Sequence, residues 1–421
     1  GGGTYKVLAR NAQEIARRAG RKIEVTRVAV RDAAKARKLL GPDLVVGVDP
    51  FEVVRDPSID IVVELIGGET LARELVLEAI AQGKHVVTAN KALLAKHGTE
   101  IFAAASARGV MVAFEAAVAG GIPIIKAIRE GLSANRIQWV AGIINGTTNF
   151  ILSEMRARGL AFATVLAEAQ KLGYAETDPT FDIEGVDAAH KLTLLASLAF
   201  GIPVQFDKAY IEGISQLAAE DIKLAERLGY RIKLLGITKR RPEGIELRVH
   251  PALVPLKSLL ANVEGAMNAV LVCGDAVGQT LYYGKGAGEE PTASAVVADL
   301  VDVTRLHTAD PEHRVPHLAF QPDAMADTPI LSIDDVVTSY YLRLTVADQP
   351  GVLADLARIL ADAKISIGSM IQQPADQCVD AELIFLTHEA IERNVNAAIV
   401  KIEALPFVRS RVTRLRMESL A

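Results

Sequence analysis

Between residues 60 and 118 short apolar runs alternate with long helix-forming ones, and this alternation restricts the fold more than any other feature of the chain. "DIVVELIGG" (60–68) is almost continuously apolar and ends in glycines, the pattern of a strand covered on both faces. "TLARELVLEAIAQGK" (70–84) sets Leu71, Leu75 and Ala79 along one helix face. "HVVTAN" (85–90), the helix "KALLAKHGTEIFAAASARG" (91–109) and the strand "VMVAFEAAV" (110–118) follow. Upstream, the strand "KIEVTRVAVRD" (22–32) and the helical "AAKARKLL" add a further pair. Strands that alternate with helices in this way build right-handed βαβ units on a parallel sheet. Such sheets bind ligands beyond the carboxyl ends of their strands, here "VRD", "LIGG", "TANK" and "EAAVAGG".

The rest of the chain reads differently. Residues 123–322 form an α+β domain, with strands such as "RIQWVAGII" (136–144) and "IELRVHPALV" (245–254) between long helices. Its helix "TASAVVADLVDVTRLH" (292–307) has an apolar stripe suited to packing back on the first domain, residues 1–122. A Pro- and Asp-rich linker, 323–339, leads to residues 340–421. These read β-α-β-β-α-β, the ferredoxin-like order.

A length of 421 residues calls for two or three such domains. The net charge of -5 gives no reason to expect nucleic acid or an acidic membrane surface as partner, and no apolar run reaches spanning length. Two cysteines, Cys273 and Cys378, cannot staple so long a chain, which fits a reducing cytoplasm. The expectation is a cytoplasmic protein.

The densest polar cluster is "KLGYAETDPTFDIEGVDAAHKLTLLA" (171–196), holding Glu176, Asp178, Asp182, Glu184 and Asp187 ahead of Lys191. A solvated acidic loop capping a helix is one reading. The helix supports another: Asp187 and Lys191 are four residues apart and share a face, and the "LTLLASLAF" that follows is too apolar for a surface. A lysine entering a buried helix beside carboxylates suits proton transfer, and the carboxylates suit a ligand's ammonium group. In "HVVTANKALLA" (85–95), Thr88, Asn90 and Lys91 end a parallel strand and open a helix, an anion-friendly junction or a plain N-cap. "FEAAVAGGIPII" (114–125) is a tight turn or a monovalent-cation site made of carbonyls. "NGTTNFIL" (145–152) and the glycine-rich "YYGKGAGEEPTASA" (282–295) are further polar junctions. His307, His313 and His317 match no common zinc spacing, and no motif activates Cys273 as a nucleophile.

Together "TANKALLA", "EAAVAGGIPII", "INGTTNFIL" and "LGYAETDPTFDIEGVDAAHK" resemble the homoserine dehydrogenase family, in its order and spacing. The C-terminal "LRLTVADQPGVLADLARILADAKISIGSMIQ" is similar to the amino-acid-sensing ACT domain. The resemblance implies a Rossmann-like NAD(P)-binding domain, a catalytic and dimerisation domain and an ACT domain. It implies interconversion of L-aspartate 4-semialdehyde and L-homoserine, in threonine and methionine biosynthesis. On matching positions Lys191 is the proton donor or acceptor. Glu176 and Asp187 hold the amino-acid substrate and Asp182 supports the lysine region. Lys91 lies between cofactor and substrate, beside Thr88. Gly173 and the "GKGAG" loop with Gly288 approach the nicotinamide. Glu115, Val118, Gly120 and Ile122 match the family's sodium site. A threonine effector at "DQPGVL" and a homodimer or homotetramer are also implied.

These roles agree with the chemistry, because hydride delivered to an aldehyde leaves an alkoxide that an ammonium group can stabilise and protonate. "VAVRD" places Arg31 before Asp32 at the end of the second strand, and an arginine there suits a 2′-phosphate, so the preference expected is NADP over NAD. The family opens on a short strand and a G-x-G-x-x-G loop, so the resemblance implies that "GGGTYKVLAR" is the end of that loop, with Gly1 its last glycine and the first strand absent; a leftover tag is the other reading. Two other readings exist: another semialdehyde oxidoreductase, which would need a cysteine nucleophile, and a non-catalytic regulator, which would not need Lys191.

Overall fold

The computed structural model describes residues 1–40, 44–374 and 380–420. The strands Ile61–Glu64, His85–Thr88 and Val112–Ala113 form a parallel sheet, with the helices Thr70–Ala81 and Lys91–Arg108 as its crossovers. The second of these starts where the Asn90 side chain accepts from the Leu93 N–H at 3.1 Å, and stops at Gly109, which turns left-handed at φ 67°. Its apolar residues Leu93, Leu94, Ile101 and Phe102 are buried, each contributing about 1.5–3 kcal/mol.

The strand expected over 22–32 is shorter. Only Arg27–Ala29 pairs, in parallel with Val45–Gly47, and these two strands form a sheet separate from the first. One backbone bond on each side, from the Val30 N–H to the Gly47 carbonyl at 3.1 Å and from the Val45 N–H to the Thr26 carbonyl at 3.4 Å, closes this short ladder. A cavity of ≈ 1520 Å³ lies between the two sheets, walled by Tyr5, Val28, Val30, Ile61, Val63 and His307 among others. The strand expected over 110–118 is also cut short. After Ala113 the chain bends, because the buried Glu115 carboxylate accepts the N–H groups of Ile125 and Lys126, both at 2.9 Å.

The helix Glu289–Leu306 packs against the helices Gly2–Arg10 and Ala12–Ala19 and the strand His85–Thr88. Val7, Leu8, Ile15, Val296 and Leu300 fill this contact. At Gly3 an added Cβ would stand 2.5 Å from Cγ of Glu289, so the helices can approach this closely only at a glycine.

Within residues 123–322 the strands Ile137–Ile143, Tyr230–Arg241, Gly244–Pro255, Met267–Gly274 and Gly278–Lys285 belong to an 11-stranded mixed sheet. The helix Val186–Phe200 lies against it with nearly every side chain buried. The sheet continues without a break into the C-terminal domain, because Gly244–Pro255 pairs in parallel with Thr413–Met417, Arg416 opposite Ala252. Beyond it come Val337–Ala347, Asp380–Thr387 and Ile367–Pro374, covered by the helices Val352–Asp362 and Glu392–Glu403. That is the β-α-β-β-α-β order, with a short extra strand, Ala390–Ile391, that delays the second helix to Glu392. Cys378 lies outside the described residues.

Buried charges join the two domains. Arg416 donates to Glu392 at 2.6 and 2.9 Å and to Glu212 at 2.8 Å. Arg343 grips Asp221 at 2.6 and 2.9 Å, and Tyr341 donates to the same carboxylate at 3.0 Å. Arg248 meets Glu418 at 2.6 Å. Among the described residues no helix is long and apolar enough to cross a membrane.

Candidate active site

Asp187 and Lys191 lie in the first turns of the helix Val186–Phe200, which Gly185 opens at φ 83°. The Lys191 ammonium donates to Oδ2 of Asp187 at 2.7 Å and to the Ile144 carbonyl at 2.8 Å. Lys91, in the first turn of the helix that leaves the parallel sheet, reaches Oδ1 of the same carboxylate at 3.2 Å. One carboxylate therefore joins two lysines from two domains. Burial alone would raise the Asp187 pKa, but the two ammonium groups outweigh it and hold the carboxyl down to about 2. Asp182, one turn before this helix, is pushed up by burial and by Asp187, against the bond from Asn145.

Asn145 is the member of this group that the residue pattern did not single out. Its Nδ2 donates to Oδ1 of Asp182 at 2.7 Å and to Oδ2 of Asp187 at 2.8 Å. The available signal was an asparagine at a strand-to-helix junction, which an ordinary helix cap such as Asn90 shows equally.

The Phe181 ring lies 5.7 Å from the Lys91 ammonium and packs on His190, so it overhangs Lys91. His190 is buried between Phe181 and Phe206, and burial pushes its pKa down to about 4, leaving it neutral. Glu176 is exposed on the preceding loop and its carboxylate joins none of these bonds. Gly173 ends the helix before that loop in a left-handed turn, φ 78°. The loop is tied to the helix Gly146–Arg158 by Thr147, which donates to the Tyr174 carbonyl at 2.7 Å.

Thr88 is fully buried and donates to Oε2 of Glu64 at 2.6 Å, while Oε1 of Glu64 accepts the N–H groups of Ile66 and Gly67. Glu64 thereby shapes the "LIGG" loop at the carboxyl end of its strand. Arg31 is exposed just beyond the strand Arg27–Ala29 and makes no ion pair among the described residues. Gly1 is the exposed N-cap of the first helix, and Gly288 caps Glu289–Leu306 at φ 128°. The glycine-rich loop before it lies against the turn after Glu115. The Gly121 N–H donates to the Lys285 carbonyl at 2.9 Å, and a Cβ on Gly120 would fall 2.4 Å from the Gly286 oxygen.

Around Glu115 the side-chain oxygens are committed to backbone N–H groups, and the Glu115 N–H donates to the buried Asp299 at 2.8 Å. Burial and Glu115 push the Asp299 carboxyl well up. The Ile122 carbonyl accepts from Ile124 at 2.8 Å, whereas those of Val118 and Gly120 accept no hydrogen bond among the described residues. No group of three or more His, Cys, Asp or Glu among the described residues could hold a metal.

Residues 1–115 match the family described as "Homoserine dehydrogenase, NAD binding domain", residues 123–301 "Homoserine dehydrogenase" and residues 340–407 "ACT domain". The homoserine dehydrogenase of Pseudomonas aeruginosa is 62% identical over 426 residues, covering 100% of this chain and 96% of that protein. That of Neisseria gonorrhoeae is 57% identical over 420 residues, with 100% and 96% covered. The crystal structure of a homoserine dehydrogenase from Thiobacillus denitrificans superposes with a TM-score of 0.95 at 68% identity, covering 100% of this chain and 96% of that one. A hyperthermophilic archaeal homoserine dehydrogenase in complex with NADPH gives a TM-score of 0.62 at 25% identity, covering 74% and 95%. With a lysine pair on one buried carboxylate, a nucleotide-binding domain beside it and relatives matching from end to end, the chain belongs to the homoserine dehydrogenase family.

Proposed function

We propose that the protein reduces L-aspartate 4-semialdehyde to L-homoserine, reversibly, with Lys191 as the proton donor and acceptor at the substrate oxygen. The observation that supports this best is the Lys191 ammonium held by Asp187 and the Ile144 carbonyl at the junction with the nucleotide-binding domain. When bound, a reduced nicotinamide supplies hydride to the aldehyde carbon. Lys191 stabilises the oxygen that gains charge and gives it a proton, which Asp187 helps to orient. Asp182 and Glu176 supply negative charge for the substrate's ammonium group, and Lys91 balances Asp187 from the cofactor side. The decisive assay follows NADPH oxidation with aspartate semialdehyde. Absence of turnover with correctly folded protein refutes the reading.

The residues fit a dinucleotide. The "LIGG" loop is shaped by Glu64, the glycines at 120 and 286 leave backbone close to backbone, and Arg31, at a strand end, makes no ion pair among the described residues. Arg31 favours the 2′-phosphate, so NADP is the preferred cofactor. A sodium ion fits the turn through carbonyls, those of Val118 and Gly120 foremost, with Glu115 and Ile122 completing the segment; activity in Na⁺ compared with a bulky organic cation tests it. The ACT domain takes a small effector, threonine, at the turn before Gly351, which caps its first helix at φ 97°. The outer strands Gly278–Lys285 and Ile367–Pro374 leave sheet edges suited to pairing between copies in a homodimer or homotetramer. Threonine titration with and without the residues after 335, together with sedimentation analysis, tests both.

A further inference from the structure

Asn145 is 4 % exposed, between the strand Ile137–Ile143 and the helix Gly146–Arg158. Its Oδ1 accepts from the Thr148 N–H at 2.8 Å and from the Thr148 hydroxyl at 2.9 Å, which caps the helix. These bonds fix the orientation of the amide. Its other end faces two carboxylates and must be the donor, since oxygen there would meet only acceptors. The two hydrogens of Nδ2 then go one to Asp182 and one to Asp187.

We infer that Asn145 is a positioning residue of the reaction: its amide holds Asp182 and Asp187 apart as two ionised carboxylates, so that Asp187 stays with the lysines while the second oxygen of Asp182 is left for the substrate's ammonium group. The inference rests on the dehydrogenase reading above. Two carboxylates in one buried site share a proton unless something between them favours the charged forms. Lys191 and Lys91 do this for Asp187, on which both converge. Asp182 makes no such ion pair, and Asn145 is its hydrogen-bond donor among the described side chains. Lys191 and Lys91 also lower Asp182, but only as charges beyond ion-pair distance, and the neutral His190 on the same helix as Asp187 supplies no compensating charge. Removal of the amide would let Asp182 take up a proton, lose its hold on an ammonium group and draw Asp187 away from Lys191.

The capping and bridging roles can be separated. Serine and aspartate both cap helices as well as asparagine, but neither donates two hydrogens to carboxylates. In Asn145→Ser, Tm and NADPH affinity by fluorescence titration should stay near those of the wild type. The KM for aspartate semialdehyde should rise and kcat/KM fall about 10²-fold, the cost of a misplaced reacting group. The acid limb of kcat/KM should move to higher pH. Asn145→Asp keeps the cap and adds a third carboxylate, so it should lose activity more steeply as pH rises. An unshifted KM and pH profile in Asn145→Ser overturns the inference. So does full recovery of activity in Asn145→Asp, the behaviour of a cap alone. A wild-type enzyme inactive on the semialdehyde, assayed in parallel, sinks the dehydrogenase reading instead.

Discussion

Lys191 sits one helical turn beyond Asp187, and the 2.7 Å bond between them is formed within a single rigid element. No loop movement is needed to assemble the pair, so the ammonium is aimed before substrate arrives. Replacing Lys191 by alanine should therefore reduce kcat by about 10²–10⁴-fold, the usual worth of a general acid-base group. Cofactor affinity, read by fluorescence titration with NADPH, should be nearly unchanged. Substantial residual turnover would show that another group moves the proton.

Arg31 provides a second test. Arg31→Ala should weaken NADPH binding and leave NADH binding almost as it was, because the guanidinium is needed only for the 2′-phosphate. The ratio of kcat/KM values for the two cofactors measures this, and an unchanged ratio removes Arg31 from the site.

The buried histidines make stability depend on pH. Burial pushes the imidazoles of His85 and His190 down to about 4, and that of His250 well below its usual range. In the unfolded chain each takes its proton near the ordinary value of about 6.5. Between those values the unfolded state binds more protons, so stability rises with pH there and is lost as pH falls from about 6.5 towards 4. Tm measured at steps from neutrality to acid should drop across this window. His85→Gln, which keeps an acceptor for the Met111 N–H, should flatten the slope.

At the domain junction Asp221 is 1% exposed and is held by Arg343 and Tyr341. Asp221→Ala leaves the guanidinium with Glu382 alone, at 2.9 Å, and the Tyr341 hydroxyl without its acceptor, and should cost about 3 kcal/mol, the low end of the range for breaking a buried pair. Replacing both residues, Asp221→Leu with Arg343→Met, should restore part of that loss, since the charge then left without its arginine is Glu382, which is less buried than Asp221. Denaturant unfolding of the variants decides it; equal losses in the single and double variants would mean that packing dominates.

Much of this architecture was legible in the sequence because it follows from local rules. "HVVTAN" followed by "KALLAKHG" gives strand, cap and helix from apolar pattern and Asn90 alone, and the spacing of Asp187 and Lys191 places them on one face. Strand lengths were less legible, because a strand ends where its neighbour does: Arg27–Ala29 stops with Val45–Gly47, and Val112–Ala113 stops where Glu115 turns the chain. Lys91 and Asn145 could be assigned to polar junctions, but not to one carboxylate. Their convergence depends on how two domains dock, and no periodicity within either segment encodes that. Glu64 was hidden for a similar reason, since it reads as part of an apolar strand until Thr88 is seen beside it.

The parallel pairing of Gly244–Pro255 with Thr413–Met417 has a consequence for synthesis. Arg248 and its partner Glu418 are 170 residues apart in the chain. On a ribosome the older strand waits on the order of ten seconds or more for its neighbour. During that interval an open strand edge invites pairing with the wrong chain. Tyr210–Ile211, already made, covers Arg248 and Val249 but not Ala252 and Leu253. Until Glu418 arrives, Arg248 has only Glu246, two residues earlier on the same strand, as its carboxylate partner at 2.9 Å, and this charged pair makes the edge a poor surface for another nascent chain to bury. The guanidinium that later locks the two domains together thus first guards the edge against misassembly.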